Sequence, residues 1–304
     1  MKKQTVLVTG ATGFVGSHLV RRLVNEKCNV HCILRPRSSL HRIKDQLTHI
    51  TIHHGDLLDE KSLKKIVEQI QPTFIFHLAT VGIYGGVESD PQVVFDTNTK
   101  GTINLVNACT DIPYACFVNT GSSSEYGKKT KPMSEDDVCF PESVYAISKL
   151  AATLYCKSYA QLHKKRLVTL RLFSPYGKDD SPRRLIPYVL THSLVQLGNK
   201  HAVRDYIYIE DVVDAYIACM RRYQFLSSEI INIGSGKERS VEEVVSTILS
   251  LVQNKKVMWE KNIVQYESPM WQADIRKAWR LLKWKPKYQF KEGIQVIARS
   301  IPYE

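Results

Sequence analysis

The chain contains 304 residues, of which 43% are hydrophobic and 24% are charged. This length and composition indicate one large α/β unit or two domains, and they exclude a disordered, collagen-like or disulfide-scaffold chain. The 42 basic and 30 acidic side chains leave a formal net charge of +12, which favours an anionic partner such as a phosphorylated small molecule, an acidic lipid or nucleic acid.

Three further features narrow this range of partners and locations. The basic residues are scattered in pairs and form no run of five or six, so we expect a solvated surface and no nucleic-acid partner. Seven cysteines without a CxxC motif lie in apolar stretches, which indicates reduced thiols in a cytoplasmic protein. The apolar run at 6–8 is too short for a signal peptide, and no span of about 18 apolar residues follows, so we expect no membrane segment.

Short apolar runs rich in β-branched residues alternate with longer helical patterns along the chain. Strands are predicted at 5–8, 29–34, 50–53, 74–78, 116–120, 167–173, 205–209 and 230–233, and helices at 14–25, 62–69, 98–110, 144–162 and 210–222. Parallel neighbours need crossover connections and bury both faces of their sheet. The alternation therefore predicts an α/β fold with a doubly wound parallel Rossmann sheet.

The regular alternation of strands and helices stops after Phe173, where a stretch rich in Pro and charged residues begins, and the composition shifts again after Gly236. Such stretches are typical of domain boundaries. The strand at 230–233 is expected to return to the first sheet, which makes the second domain discontinuous. We predict a dinucleotide-binding domain of residues 1–173 and 205–233, and a smaller substrate domain of residues 174–204 and 234–304.

A glycine-rich turn, GxxGxxG in spacing, connects the first predicted strand to the first predicted helix. Its glycines permit a tight turn, close approach of the backbone to a pyrophosphate and close helix–strand packing, and the helix N-terminus supplies unpaired N–H groups. This placement predicts a dinucleotide site rather than a purely structural turn. The residues expected to contact the cofactor are Gly10, Thr12, Gly13, Phe14, Val15 and Gly16.

The second predicted strand runs into the segment Arg35-Pro36-Arg37-Ser38, where NAD-binding folds normally carry a carboxylate for the ribose hydroxyls. Arg35 and Arg37 can form forked hydrogen bonds to a ribose 2′-phosphate, and the segment contains no acid to exclude that phosphate. We therefore expect this segment, including Ser38, to bind the cofactor and to favour NADP(H), with NAD(H) possible. The alternative is that the two arginines are solvated in a loop and touch no cofactor. Asp56, after the third strand, could accept the adenine amino group or cap a helix.

The strongest catalytic signal is the motif Tyr145-Ala146-Ile147-Ser148-Lys149. On a helix this spacing places the phenol and the ammonium on one face, so Lys149 can stabilise the phenolate and lower the pKa of Tyr145 toward neutrality. The serine cluster at 122–124 follows the central strand, at the sheet edge where open α/β sheets bind ligands. In this order after a glycine-rich turn, the motifs predict an acid/base site made of Ser122, Tyr145 and Lys149, with no metal.

These motifs together resemble the extended short-chain dehydrogenase/reductases, in the group of nucleotide-sugar epimerases, dehydratases and 4-ketoreductases. The resemblance covers nearly the whole chain and rests on Gly10/Gly13/Gly16, Asp56-Leu57, His77-Leu78-Ala79-Thr80, Asn98, Ser122, Tyr145/Lys149, the segment 171–177, Arg204-Asp205-Tyr206 and the closing segments 273–278 and 282–286. It implies a nicotinamide enzyme that acts on a sugar attached to a nucleoside diphosphate.

The resemblance also implies a role for each matching residue. Tyr145 is the acid/base at the sugar oxygen, Lys149 binds the nicotinamide ribose, and Ser122 is the hydroxyl partner. Further cofactor contacts are implied for Leu57, Leu78, Ala79, Thr80, Asn98, Phe173 and Pro175. Substrate contacts are implied for Ser122, Ser123, Ser124, Tyr145, Ser174, Arg183, Arg184 and Arg204, with surface charge as the alternative for the arginines.

Departures from the group narrow the predicted reaction. Sugar-nucleotide 4,6-dehydratases have Asp-Glu where this chain has Ser123-Ser124, so the carboxylate pair for elimination is missing and Glu125 comes one position late. Many of the 4-epimerases have Asn at the position of Ser174. An epimerase can retain NAD, whereas a net reductase must exchange its cofactor and would draw on NADPH, which Arg35 and Arg37 favour.

We therefore predict NADPH-dependent reduction of the C4 ketone of a nucleoside-diphosphate 4-keto-6-deoxy sugar. The alternative is an NAD-dependent nucleoside-diphosphate-hexose 4-epimerase. A non-catalytic redox-sensing or RNA-associated Rossmann protein is a third hypothesis, against which the intact Ser122, Tyr145 and Lys149 argue. The resemblance also implies a homodimer through the helices at 98–110 and 145–162, although their apolar residues Leu105, Val106, Leu150 and Leu154 could instead pack on the sheet.

Overall fold

A computed structural model describes residues 3–82, 90–260 and 268–300. Over these residues the chain forms twelve strands: β1 (Thr5–Thr9), β2 (Asn29–Leu34), β3 (Ile50–His54), β4 (Phe74–His77), β5 (Cys116–Ser122), β6 (Leu167–Leu172), β7 (Ser174–Tyr176), β8 (Leu194–Leu197), β9 (Val203–Tyr208), β10 (Ile230–Ile233), β11 (Glu238–Ser240) and β12 (Lys256–Trp259). Seven of them build one parallel sheet in the order β10-β6-β5-β4-β1-β2-β3. This order confirms the predicted doubly wound α/β fold.

Ten α-helices accompany the strands in the described residues. They are α1 (Phe14–Asn25), α2 (Glu60–Ile70), α3 (Pro91–Phe95), α4 (Gly101–Ala108), α5 (Val144–His163), α6 (Leu185–Thr191), α7 (Ile209–Arg222), α8 (Val241–Leu249), α9 (Arg276–Leu282) and α10 (Phe290–Ser300). Side chains alternate across a strand, so Val6 and Val8 of β1 join the core with α1 and α7, whereas Leu7 joins the core with α2, α4 and α5. Helices therefore cover both faces of the sheet.

The smaller strands lie outside the central sheet. β11, β9 and β7 form a three-stranded sheet in that order, and β8 pairs in parallel with β12. The stretch after Phe173 thus contains a strand and the start of α6. The division into two domains stays a prediction; β9, which it assigns largely to the first domain, pairs with β7 and β11, which it assigns to the second.

The helix predicted to begin at residue 98 begins seven residues earlier. Pro91 occupies the first turn of α3, and the Asp90 side chain caps it by accepting a hydrogen bond from the Gln92 amide at 2.9 Å. A π-helical turn, Asp96–Lys100, then joins α3 to α4. The capping residue and the proline precede the apolar pattern in the sequence. A prediction from the apolar pattern alone therefore places the start of the helix too late.

Two side chains that were possible dimer contacts are buried inside the molecule instead. Leu105 and Val106 of α4 are 0% and 1% exposed and pack with Leu63 of α2 and Phe117 of β5. They cannot reach a partner chain. Leu154 of α5 is 53% exposed and remains available.

The cysteines lie mostly in the core, since six of the seven are buried and all are free thiols. Burial raises the pKa of Cys32 and Cys156 to about 12, which keeps these thiols unreactive at neutral pH. Among the described residues no group of three or more His, Cys, Asp or Glu side chains could hold a metal ion. Within the same ranges, no helix combines the length and the apolar character needed to cross a bilayer.

Candidate active site

A cavity of about 950 Å³ lies at the carboxyl edge of the central sheet. Its lining includes residues that end or follow six neighbouring strands: Gly10, Arg35, Asp56, Leu78, Ser122 and Phe173. Ligand sites of open α/β sheets occur at this edge, and the volume is large for a ligand pocket. The cavity therefore brings together residues that are far apart in the chain.

The glycine loop forms one wall of the cavity, and its backbone leaves no room for a side chain at Gly10 and Gly16. Gly10 has a φ of +73°, and a Cβ added to it would lie 2.5 Å from the Ala79 amide nitrogen. A Cβ on Gly16 would lie 2.1 Å from the Gly10 carbonyl oxygen. Gly13 stands at the N-cap of α1 with no side chain to cap it, so the amide groups of the first turn remain available to an anion such as a cofactor pyrophosphate.

The residues after β2 separate into those at the cavity and those outside it. Arg35 and Ser38 line the cavity, whereas Arg37 does not and is exposed. Arg42, which no motif indicated, also lines it; its guanidinium donates from Nε to the Asp179 carbonyl at 2.9 Å and from Nη1 to the Thr12 carbonyl at 3.5 Å. The guanidiniums of Arg35 and Arg42 therefore bring positive charge to this end of the cavity.

Asp56 lines the cavity and also shapes the chain after β3. Its Oδ1 accepts a hydrogen bond from the Leu58 amide at 2.9 Å. The helix cap of α2 is a different residue, Asp59, whose side chain accepts from the Ser62 amide. The capping role considered for Asp56 is therefore wrong, since a tight turn separates it from the helix.

Tyr145, Lys149 and Ser122 all line the cavity. α5 presents Tyr145 and Lys149 on one face, and its start is fixed by the Ser143 hydroxyl, which accepts from the Ala146 amide at 3.1 Å. Lys149 is only 3% exposed. The predicted acid/base residues are thus gathered at one place.

The pKa of Tyr145 was predicted to be lowered, and this prediction is wrong because the structure raises it. Burial raises the pKa of Tyr145 to about 12, and hydrogen bonding to Ser122 and Thr80 offsets only part of that rise. Burial also lowers the pKa of Lys149. Helical spacing predicts that the two groups share a face but says nothing about how far each is withdrawn from water, and desolvation decides the outcome here.

Asn98, expected to touch the cofactor, lies behind the cavity wall and is not among its lining residues. Its Oδ1 accepts from the Thr80 hydroxyl at 3.0 Å and from the Val81 amide at 2.9 Å, while its Nδ2 donates to the Ser148 hydroxyl at 3.0 Å. Asn98 thus ties the loop after β4 to α5, and it acts on the site through Thr80.

The serine cluster forms a tight turn at the end of β5. Ser122 Oγ lies 2.8 Å from Ser124 Oγ and accepts from the Ser124 amide at 3.2 Å. The Ser123 hydroxyl accepts a hydrogen bond at 3.1 Å from the indole of Trp271, a lining residue that the motifs did not indicate. In the sequence, the motif nearest to Trp271 is the segment 273–278, which resembles the family's closing segment and begins two residues later.

Ser174, Arg184 and Arg204 complete the opposite end of the cavity, where Arg204 stacks over the Trp271 ring at 4.7 Å. Arg183 is exposed and outside the lining. The other predicted cofactor contacts line the cavity. Thr12, Phe14 and Val15 come from the glycine-rich turn, and the contacts implied by the resemblance are Leu57, Leu78, Ala79, Thr80, Phe173 and Pro175.

Comparison with known proteins agrees with this arrangement. Residues 6–234 match the model of the NAD dependent epimerase/dehydratase family. A UDP-glucuronate 4-epimerase from Thermodesulfobacterium geofontis is 28% identical over 95% of this chain and 93% of its own. A dTDP-4-dehydro-6-deoxyglucose reductase from Escherichia coli is 27% identical over 99% of this chain and 98% of its own.

Solved structures agree as well. The crystal structure of UDP-glucuronic acid 4-epimerase from Bacillus cereus, in complex with UDP-glucuronic acid and NAD, superposes with a TM-score of 0.85 at 27% identity, covering 97% of this chain and 98% of that chain. Relatives of two reaction types, 4-epimerases and a 4-ketoreductase, therefore share this fold and sequence pattern. The protein is an NAD(P)-dependent enzyme of the extended short-chain dehydrogenase/reductase type and belongs to the NAD dependent epimerase/dehydratase family.

Proposed function

We propose that the protein uses NADPH to reduce the C4 ketone of a nucleoside-diphosphate 4-keto-6-deoxy sugar. The observation that carries the proposal is the charge of the cavity wall. Among the described lining residues, Asp56 is the one acid, whereas the basic residues are Arg35, Arg42, Lys149, Arg184 and Arg204. A wall of this charge suits two ligands that both carry phosphates.

The position of the charges supports the choice of reaction. An elimination across C5 and C6 would need a carboxylate beside the sugar. The nearest one in sequence, Glu125, is fully buried and accepts hydrogen bonds from Arg171 and Ser122, outside the cavity lining. Asp56 follows β3, at the cofactor end. Without such a carboxylate, ketone reduction is favoured over dehydration.

The catalytic residues suit proton donation in this direction. NADPH, when held at the glycine loop, would supply the hydride for C4. Tyr145 donates the proton that the C4 oxygen needs, and the raised pKa of its phenol keeps that proton in place through neutral pH. The Ser122 hydroxyl holds the sugar oxygen, and the Lys149 ammonium holds the nicotinamide ribose.

Arg35→Ala tests the choice of NADPH. If the guanidinium pairs with the 2′-phosphate, the variant should bind NADPH more weakly by roughly 1.5–3 kcal/mol, the range for a hydrogen bond to a charged group. NADH affinity should change little. The measurement is a fluorescence titration of each cofactor. Arg37→Ala is the matched control, because Arg37 lies outside the cavity lining and should leave both affinities intact. An equal loss for NADPH and NADH would refute the assignment of Arg35.

A nucleoside-diphosphate-hexose 4-epimerase is the second candidate. It is favoured by the relative from Thermodesulfobacterium geofontis and by the NAD held in the Bacillus cereus structure. Such an enzyme returns the hydride to the opposite face of the same sugar and consumes no cofactor.

Steady-state assays separate the two candidates. The protein is incubated with NADPH and a nucleoside-diphosphate 4-keto-6-deoxyhexose, and in parallel with NAD and a nucleoside-diphosphate hexose. We expect NADPH to be consumed in equal amount to the sugar reduced. Isomerisation of the hexose without net cofactor consumption, and no NADPH oxidation in the first assay, would replace the reductase with the epimerase.

We also propose that the protein forms a homodimer through α5. Ile147 and Leu154 are 45% and 53% exposed, lie outside the cavity lining and are seven residues apart, on one face of that helix. Apolar stripes of this kind mark association surfaces. Ile147→Glu combined with Leu154→Glu should therefore shift the protein from dimer to monomer in size-exclusion chromatography with light scattering. Phe225→Glu, a change at an exposed aromatic outside α5, should leave the mass unchanged. A wild-type monomer would overturn the proposal.

A further inference from the structure

We propose that Glu125 is a positioning residue whose buried charge keeps the Lys149 ammonium protonated, while Arg171 fixes the orientation of the carboxylate. The inference rests on the proposed role of Lys149 in binding the cofactor. Glu125 itself touches neither cavity nor ligand, since it lies behind the wall that carries Ser122. The proposed reaction gives this buried carboxylate no role of its own.

Glu125 is held by three elements at once. Its Oε1 accepts from the Ser122 amide at 2.7 Å and from the Thr153 hydroxyl at 3.1 Å, and its Oε2 accepts from Arg171 Nε at 2.7 Å. The Glu125 and Arg171 side chains are 0% and 2% exposed. The Arg171 guanidinium also lies over the Tyr126 ring at 4.5 Å. The carboxylate therefore has one fixed position between β5, α5 and β6.

The fixed position of the Glu125 carboxylate places a negative charge near the Lys149 ammonium. Thr153 follows Lys149 by one helical turn on α5, so the carboxylate that Thr153 binds lies on the same helix face as the ammonium. Lys149 is buried, and desolvation lowers its pKa, whereas the charge of Glu125 acts in the opposite direction. A nearby opposite charge favours the charged form of a lysine.

The other titratable groups around Lys149 do not replace this charge. His77 of β4 is fully buried, and desolvation together with the Lys149 charge lowers its pKa to about 3, so it stays neutral. Cys156 of α5 has its pKa raised to about 12 by burial and also stays neutral, as does Tyr145. Among the described groups, Glu125 is left as the source of negative charge at this lysine.

Glu125→Gln removes the charge but keeps an oxygen that can accept from Ser122 and Thr153. The measurement is NADPH and NADH affinity as a function of pH, with no sugar present. A protonated lysine makes the stronger hydrogen bond to the ribose, so affinity falls where Lys149 loses its proton. In Glu125→Gln this alkaline fall should move to lower pH by about one pH unit, the low end of the range for a nearby opposite charge.

Three further variants are measured beside Glu125→Gln. Glu125→Gln combined with Arg171→Met leaves no unpaired buried charge, so it guards against a single variant that fails to fold, and its alkaline fall should move in the same way. Thr153→Val keeps the charge and should leave the fall at its wild-type pH. Lys149→Ala should show no such fall.

A structural role alone would weaken binding by a similar factor at every pH. If the alkaline fall stays at the wild-type pH in both variants that lack the Glu125 carboxylate, the proposal is overturned. The test is independent of the reaction, because cofactor binding without sugar is measured. A protein that shows the displaced fall but reduces no 4-keto sugar would refute the proposed function and support the role of Glu125.

Discussion

Tyr145→Phe should lower kcat for ketone reduction by about 10²–10⁴-fold, the usual contribution of a general acid. The variant removes the proton donor and keeps the ring that lines the cavity. Affinity for NADPH should be nearly unchanged, because the loss concerns a contact made in the transition state. The measurement is kcat at saturating NADPH on a 4-keto sugar nucleotide, together with the Kd for the cofactor.

Lys149→Ala is the comparison variant, because it should weaken cofactor binding as well as lower kcat. The wild-type pH profile gives a second check. A tyrosine whose pKa is raised to about 12 keeps its proton through neutral pH, so the reductive kcat should stay level there and fall only on the alkaline side. A Tyr145→Phe enzyme with wild-type kcat would end the assignment of Tyr145 as the acid.

Arg171→Met should destabilise the protein by about 3–5 kcal/mol, the cost of breaking a buried ion pair from one side. The change leaves the Glu125 carboxylate buried with two remaining donors, Ser122 and Thr153. The measurement is the free energy of unfolding from a urea titration at neutral pH. Adding Glu125→Gln to the variant should recover much of the loss, since the uncompensated charge disappears.

Lys200→Met serves as the control for this prediction. Lys200 pairs with Glu242 at 3.3 Å, and both side chains are more than 40% exposed, so the loss should be about 0–1 kcal/mol. If Arg171→Met lowers the free energy of unfolding no more than Lys200→Met does, the buried Glu125–Arg171 pair does not fix the carboxylate as proposed above.

Local chemistry explains which parts of the fold were predictable from the sequence. The helix at 14–25 and the strands at 29–34 and 230–233 occupy the predicted residues, because their apolar periodicity and flanking turns are contained in a short segment. The gathering of Gly10, Ser122 and Tyr145 around one cavity was also predictable, since parallel strands bring their carboxyl ends to one edge.

The remaining features depend on contacts between distant segments. Trp271 reaches the cavity through its hydrogen bond to Ser123, and Arg42 through the Thr12 carbonyl; neither partner is implied by neighbouring residues. Asn98 belongs to the motif set, but packing places it behind Thr80 rather than in the lining. The rise in the pKa of Tyr145 follows from burial of its phenol, and helical spacing does not determine burial.

Transfer of deuterium from the cofactor tests the central claim most directly. NADPH that carries deuterium at nicotinamide C4, on the face that transfers hydride, is mixed with a nucleoside-diphosphate 4-keto-6-deoxyhexose, and the product is examined by NMR. The proposed reductase should place one deuterium on C4 of the sugar for each NADPH oxidised. A product sugar without deuterium at C4, or epimerisation of a hexose with no cofactor oxidised, would contradict the reductase assignment.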